Sequence, residues 1–118
     1  MRLTDCHNID DFRTLAKARL PFPVFDYIDG AADDELTKAR NTAAFAGVDL
    51  VPDVLAGVAE IDTSCTILGR RSALPLMLSP TAVQRAFHWE GERAVARAAE
   101  KYGLWFGISS LATRSIEE

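Results

Sequence analysis

Phe12, Leu15, Ala16 and Leu20 recur at the three- and four-residue spacing of one helical face. Asn8 or Asp10 stands where such a helix would be capped, and Pro21 and Pro23 break the pattern. Residues 24–28 then fit one short helical turn ended by Gly30. Asp33 or Asp34 can start a second helix, with Leu36, Ala39, Ala43 and Ala44 on one side and Gly47 closing it. Between Val48 and Gly69 the texture changes, as β-branched residues mix with Pro52, Gly57, Asp62 and Ser64. That mixture predicts extended chain, a short strand at 65–68 and a turn at Gly69-Arg70.

The second half is more regular. PLMLS, at 75–79, is a continuous apolar run with the texture of a strand covered on both faces. The helix that follows carries Glu90 and Glu92 in its first turn, where they suit the macrodipole. Its apolar positions Val95, Ala98, Ala99 and Tyr102 fall at helical spacing, and Gly103 is placed as its cap. LWFGIS is a second apolar strand, and Ser115 with Glu118 has the spacing of a capping box opening another helix. The order strand, helix, strand implies an α/β fold with parallel strands joined by a right-handed crossover. Two parallel strands expect further neighbours, so the pattern predicts the opening of a longer, truncated domain.

Composition narrows the function classes. Of 118 residues 48% are hydrophobic and 25% charged, which is ordinary for a globular protein. The formal net charge of -4, without a basic stripe, argues against a nucleic-acid partner. Cys6 and Cys65 form neither a metal spacing nor a disulfide framework, so buried or idle thiols in a reducing cytosol are expected. MRLTDCHNIDD has an acidic cluster and no apolar core, so no signal peptide is expected. No apolar run reaches membrane-spanning length, and the expectation is a soluble, cytoplasmic protein.

The candidate chemistry lies in two strand-end loops, SPTA at 79–82 and SSLAT at 109–113. In barrels and doubly wound sheets alike, the carboxyl edge of parallel strands holds the active site. Small residues there let the backbone approach a flat ligand, while amides and hydroxyls supply hydrogen bonds. Ser, Pro and Thr are equally what an ordinary turn would use. Tyr27 in its short turn reads first as a half-buried packing residue, and His88 as a capping or solvent-facing one. His7 has no assigned role. Asp33, Asp34 and Glu35 have the look of a metal cluster, but their place at a helix start makes dipole complementation the better account; no metal site is expected.

Four segments in series resemble one family. LPFPVFDYIDGAADDELT, then Asn41 to Phe45 as N-x-x-AF, then LPLMLSPTAVQRAFHWEGERAVARAA, then ISSLATRSIEE are similar to the N-terminal part of the FMN-dependent 2-hydroxy acid dehydrogenases. Glycolate oxidase, cytochrome- or quinone-linked L-lactate dehydrogenase and mandelate dehydrogenase are members of that family. The likeness covers nearly the whole chain, in the same order and at similar spacing.

The resemblance implies the N-terminal portion of a (β/α)8 TIM barrel: a helical and hairpin preamble at 1–73, then the first βαβ unit at 74–118. PLMLS becomes the first barrel strand and WFGIS the second. The resemblance places Pro80, Thr81 and Ala82 in the loop whose backbone lies against the flavin ring. It assigns Ser109 to the polar edge of that ring and Tyr27 to the substrate carboxylate. Asp53 and Trp89 depart from the family pattern at positions that are neither flavin nor substrate contacts. Leu111 occupies a variable position near the substrate, which leaves the particular hydroxy acid open.

What the family implies for function is oxidation of a small L-2-hydroxy acid to the 2-oxo acid. Lactate comes first, with glycolate or mandelate as alternatives, and FMN is the cofactor. The family's catalytic histidine, substrate arginines, flavin-side lysine and phosphate-binding glycines belong to later strands, beyond Glu118. The implied electron acceptor is a quinone, a cytochrome or oxygen. The complete protein is expected to be a homo-oligomer, cytoplasmic or peripheral to the inner membrane. The alternative is a truncated, non-catalytic chain that binds a partner or is an inactive remnant.

Overall fold

A computed structural model of the chain describes residues 2–117, and in it Asn8 caps the first helix: its side-chain oxygen accepts the Asp11 amide at 2.8 Å. This helix, α1, runs Ile9–Arg19 and buries Leu15. Pro21 serves as N-cap of α2, Phe22–Asp29, with Pro23 at its start, where a missing amide costs nothing. The expected single turn at 24–28 is therefore a two-turn helix, because both prolines fall at or before its first turn and not inside it. α3 spans Leu36–Ala46 and closes at Gly47. Its N-cap is Glu35 in a left-handed conformation, not Asp33 or Asp34 as the residue types suggested. The Glu35 carboxylate instead folds back to accept the Ala31 amide at 2.9 Å and the Lys38 ammonium at 3.1 Å.

The chain packs as two units, Met1–Gly57 and Val58–Glu118. In the first, Leu15 and Phe25 are the buried apolar side chains among the described residues, and α3 buries none of its residues. A fully buried leucine or phenylalanine stabilises by about 1.5–3 kcal/mol, so ion pairs matter to this small core. Arg13 grips Asp29 with two nitrogens at 2.5 and 2.8 Å, and Lys38 stands 3.9 Å from the same carboxylate. One aspartate thereby ties α1 and α3 to the end of α2.

The hydrogen bonds from Arg13 hold the Asp29 carboxyl below its ordinary value of 3.8, and Arg13 is raised in turn. A carboxylate with a depressed folded pKa stabilises above its unfolded value, and that stability is lost as pH falls through the folded one. Acidification below pH 3.8 is therefore expected to loosen the three-helix unit, followed by circular dichroism. Asp29→Asn should remove Asp29's share of that acid dependence and leave the share of Glu35, which Lys38 and the Ala31 amide hold below its ordinary value. Salt should weaken the pair because it is partly solvated.

The second unit begins with a hairpin. β1, Cys65–Ile67, pairs antiparallel with β2, Arg70–Ser72, in the register Cys65 to Ser72 and Ile67 to Arg70. The turn is Leu68-Gly69, one residue earlier than expected, and both residues take the positive φ that two-residue hairpin turns need. Ser72 is fully buried and donates its hydroxyl to the Leu74 carbonyl at 2.8 Å. The Ala73 amide then donates to the Gly103 carbonyl at 3.0 Å, which fastens the hairpin to the parallel pair below.

That pair is β3, Met77–Leu78, beside β4, Trp105–Phe106, parallel and in the register Met77 to Trp105. Between them runs α4, Glu92–Tyr102, which buries Ala99, packs against β4 and ends at Gly103. The architecture is thus a partial α/β fold, with two short sheets and no closed barrel among the described residues. The expected coverage of both strand faces is not met: Met77 is 47% exposed, because one helix covers the pair and the full treatment of such strands needs layers on both sides. The helix also starts at Glu92 and not at Glu90, whose carboxylate accepts from Arg97 at 2.6 Å instead. Cys6 and Cys65 are unpaired and half-buried. Among the described residues no helix is long and apolar enough to cross a membrane. The capping box expected from Ser115 to Glu118 lies outside the described residues.

Candidate functional site

Parallel pairing sends β3 and β4 out through the same edge, so the loops after them meet. The Gly107 amide donates to the Leu78 carbonyl at 3.0 Å, and the Val83 amide to the Leu111 carbonyl at 3.0 Å. Between these two bonds stand Pro80, Thr81 and Ala82 on one loop and Ser109 on the other. A methyl group at Gly107 would sit 3.1 Å from the Pro80 ring, tight enough to push the two loops a few tenths of an ångström apart.

Pro80 and Thr81 are exposed, while Ala82 and Ser109 are half-buried. The Ser109 hydroxyl accepts the Leu111 amide at 3.1 Å and its carbonyl accepts the Ala112 amide at 3.0 Å, a compact turn that leaves the Ser109 O–H to donate. The Thr81 and Ala82 amides have no acceptor among the described residues. The loops thus bring two amides without an acceptor among the described residues, a hydroxyl and a small apolar methyl group to one edge. Such a set fits a flat ring with a polar rim, the kind of group FMN supplies.

A buried polar network holds these loops. Glu92, 3% exposed, accepts the Thr113 hydroxyl at 2.6 Å and the Thr113 amide at 2.8 Å across 21 positions of chain. Burial pushes its carboxyl up, but the Thr113 hydroxyl and amide, with the amides of Glu92 and Gln84, outweigh that and leave it below its ordinary value of 4.5. Gln84 is buried as well and donates its side-chain amide to the Thr81 carbonyl at 3.3 Å. Residue types had marked Glu92 only as a helix-dipole residue. Its partner Thr113 is remote in sequence, so no local spacing announces the pair.

Tyr27 belongs to the first unit, on α2, and is 62% exposed. The packed, half-buried tyrosine that its helical turn suggested is not what is observed, since Phe25 and not Tyr27 fills the space against α1. Asp33 and Asp34 are exposed, and no His, Cys, Asp and Glu cluster of metal-binding form occurs among the described residues. His88 is exposed, and its Nδ1 accepts the Glu90 amide at 3.3 Å. A cavity of about 380 Å³ in the first unit, lined by Arg13, Lys17, Phe25 and Asp29, is walled by the ion pairs described above and holds none of the loop residues.

Comparison with known proteins adds to this geometry. The model of a family described as FMN-dependent dehydrogenase matches residues 16–118. Glycolate oxidase of Spinacia oleracea is 42% identical over 111 residues, covering 94% of this chain and 30% of that protein. A putative L-lactate dehydrogenase of Mycobacterium tuberculosis is 41% identical over 117 residues, covering 99% of this chain and 28% of that protein. A crystal structure of mandelate oxidase matches with a TM-score of 0.84 at 38% identity, over 92% of this chain and 32% of that one. The chain therefore spans about 30% of the length of such curated relatives.

Proposed function

Because this chain belongs to the FMN-dependent dehydrogenase family, we propose that it supplies part of the flavin and substrate site for oxidation of a small 2-hydroxy acid to its 2-oxo acid. The observation that carries this is the pair of strand-end loops hydrogen-bonded to each other at one sheet edge, with Pro80, Thr81 and Ala82 on one and Ser109 on the other. Relatives named for glycolate, lactate and mandelate share the chain's pattern, so the common chemistry is the 2-hydroxy acid itself. We place L-lactate first among the substrates, on the relative that matches 99% of the chain.

FMN, when bound, takes up the two electrons released from the substrate, and that redox chemistry belongs to the cofactor. The protein's part is positioning. The 80–82 backbone would lie against the ring and limit how far it can tilt. The Ser109 hydroxyl would donate to a ring acceptor and favour electron density there. Tyr27 would orient the substrate through its carboxylate. The (β/α)8 barrel, of which β3, α4 and β4 form the first turn, is part of the same proposal.

Anaerobic mixing of the FMN-loaded full-length protein that carries this chain with single 2-hydroxy acids tests it, with bleaching of the flavin's visible absorption as the signal. L-Lactate is expected to bleach the flavin and D-lactate to leave it oxidised. Faster bleaching by glycolate or mandelate would correct the substrate alone. No bleaching by any 2-hydroxy acid would refute the function.

A further inference from the structure

Nothing in the proposed chemistry uses Glu92, yet it is among the most buried charged groups of the chain. An ionised carboxylate is costly to bury unless its oxygens are satisfied. Here each oxygen accepts a hydrogen bond from Thr113, one from its amide and one from its hydroxyl. Thr113 closes the loop after β4, and it spends both its amide and its hydroxyl on Glu92. Gln84 follows the loop after β3 and its side chain fixes the Thr81 carbonyl at 3.3 Å, while its backbone amide favours the ionised form of the same carboxylate. Gly91, immediately before Glu92, has Arg85 and Thr113 within contact of where its side chain would be, so the backbone leading into Glu92 is closely packed between them.

We infer that Glu92 is a positioning residue: its buried carboxylate sets the spacing between the Thr81 and Ser109 loops, and so the fit of the flavin ring between them. This rests on the proposed FMN role of those loops. A network that only stabilised the fold would have no need to end on both flavin loops. Glu92 instead joins the two segments that must keep a fixed separation if a rigid ring is to meet donors from each.

The test uses the protein purified with FMN and the variants Glu92→Gln, Glu92→Ala, Thr113→Val and the double variant Glu92→Gln/Thr113→Val. Glu92→Ala is expected to raise the FMN dissociation constant about tenfold or more, as lost hydrogen bonds to a charged group do, and to shift the bound flavin's visible band. Glu92→Gln keeps the shape and part of the hydrogen bonding, so it should fall between native and alanine. Glu92→Gln/Thr113→Val should be no worse than the larger single effect, because both remove one interaction. Without FMN, amide hydrogen exchange should quicken at Val83, Leu111 and Thr113 in Glu92→Gln while the β1–β2 hairpin keeps its protection. This readout also serves if Glu92→Ala fails to fold. A lower melting temperature with unchanged FMN affinity, spectrum and loop exchange in folded Glu92→Gln and Thr113→Val would overturn the inference and leave the FMN site standing. Failure of the native protein to bind FMN would instead refute the proposed function, and the positioning role with it.

Discussion

Replacing Tyr27 by phenylalanine is expected to raise the Michaelis constant for the 2-hydroxy acid by about one to two powers of ten while FMN content stays unchanged. The proposed contact is a phenol donating to a carboxylate, and a hydrogen bond to a charged group is worth roughly 1.5–3 kcal/mol, which is that range in affinity. Tyr27 is 62% exposed and lies outside the buried pair Leu15 and Phe25, so a thermal melt of the same variant separates loss of stability from loss of substrate binding. Ser109→Ala is the contrast: it should disturb flavin affinity or spectrum before substrate recognition. Steady-state kinetics over several 2-hydroxy acids, with flavin content measured on the same samples, separate the two. Kinetics indifferent to Tyr27→Phe would remove the substrate role from this residue.

Gly91→Ala is expected to destabilise the second unit by more than the roughly 1–3 kcal/mol that a forced backbone conformation costs alone. Gly91 has φ 55° and ψ −133°, a region that side chains rarely enter. Its added methyl group would also lie 2.6 Å from Arg85 Cγ, 3.3 Å from the Arg85 amide and 3.4 Å from Thr113 Oγ1. The first of these contacts is impossible without movement, the second is tight, and the third only touches the partner of Glu92. Urea unfolding should show a lower midpoint. Arg85→Ala added to Gly91→Ala should recover the steric share and leave the conformational one. Equal midpoints for native and Gly91→Ala would mean that the strained turn relaxes at no cost.

Much of the fold was legible because it is local. Asn8 as a cap and the helix that ends at Gly103 follow from groups within a few residues of one another, and the parallel pairing of the two apolar runs follows from the single helix that joins them. The alternation of strand, helix and strand leaves one sensible handedness and one edge for the loops. The candidate loops were legible for the same reason, since SPTA and SSLAT sit where the strand ends must be.

The errors share a cause. Asp33 and Asp34 are good capping types, but Glu35 takes the cap position because its carboxylate can reach both Ala31 and Lys38. Pro23 looked like a breaker, yet at the start of α2 it lacks only an amide that a helix start leaves unpaired in any case. PLMLS reads as fully covered, but coverage depends on what packs on the strand and not on the strand's own residues.

Residue order and type alone determined the α/β class, the succession of elements, the place of the loops and the family likeness carried by Tyr27, Pro80, Thr81, Ala82 and Ser109. Periodicity and turn chemistry are properties of neighbours along the chain, and so they can be read there. Tertiary structure alone decided that Glu92 is buried, that it meets Thr113 across 21 positions, and that Gln84 and Gly107 let the two loops close together. The physical reason is that burial and long-range hydrogen bonds are set by three-dimensional packing: a glutamate in a helix's first turn has the same local signature whether it faces water or a threonine from a distant loop.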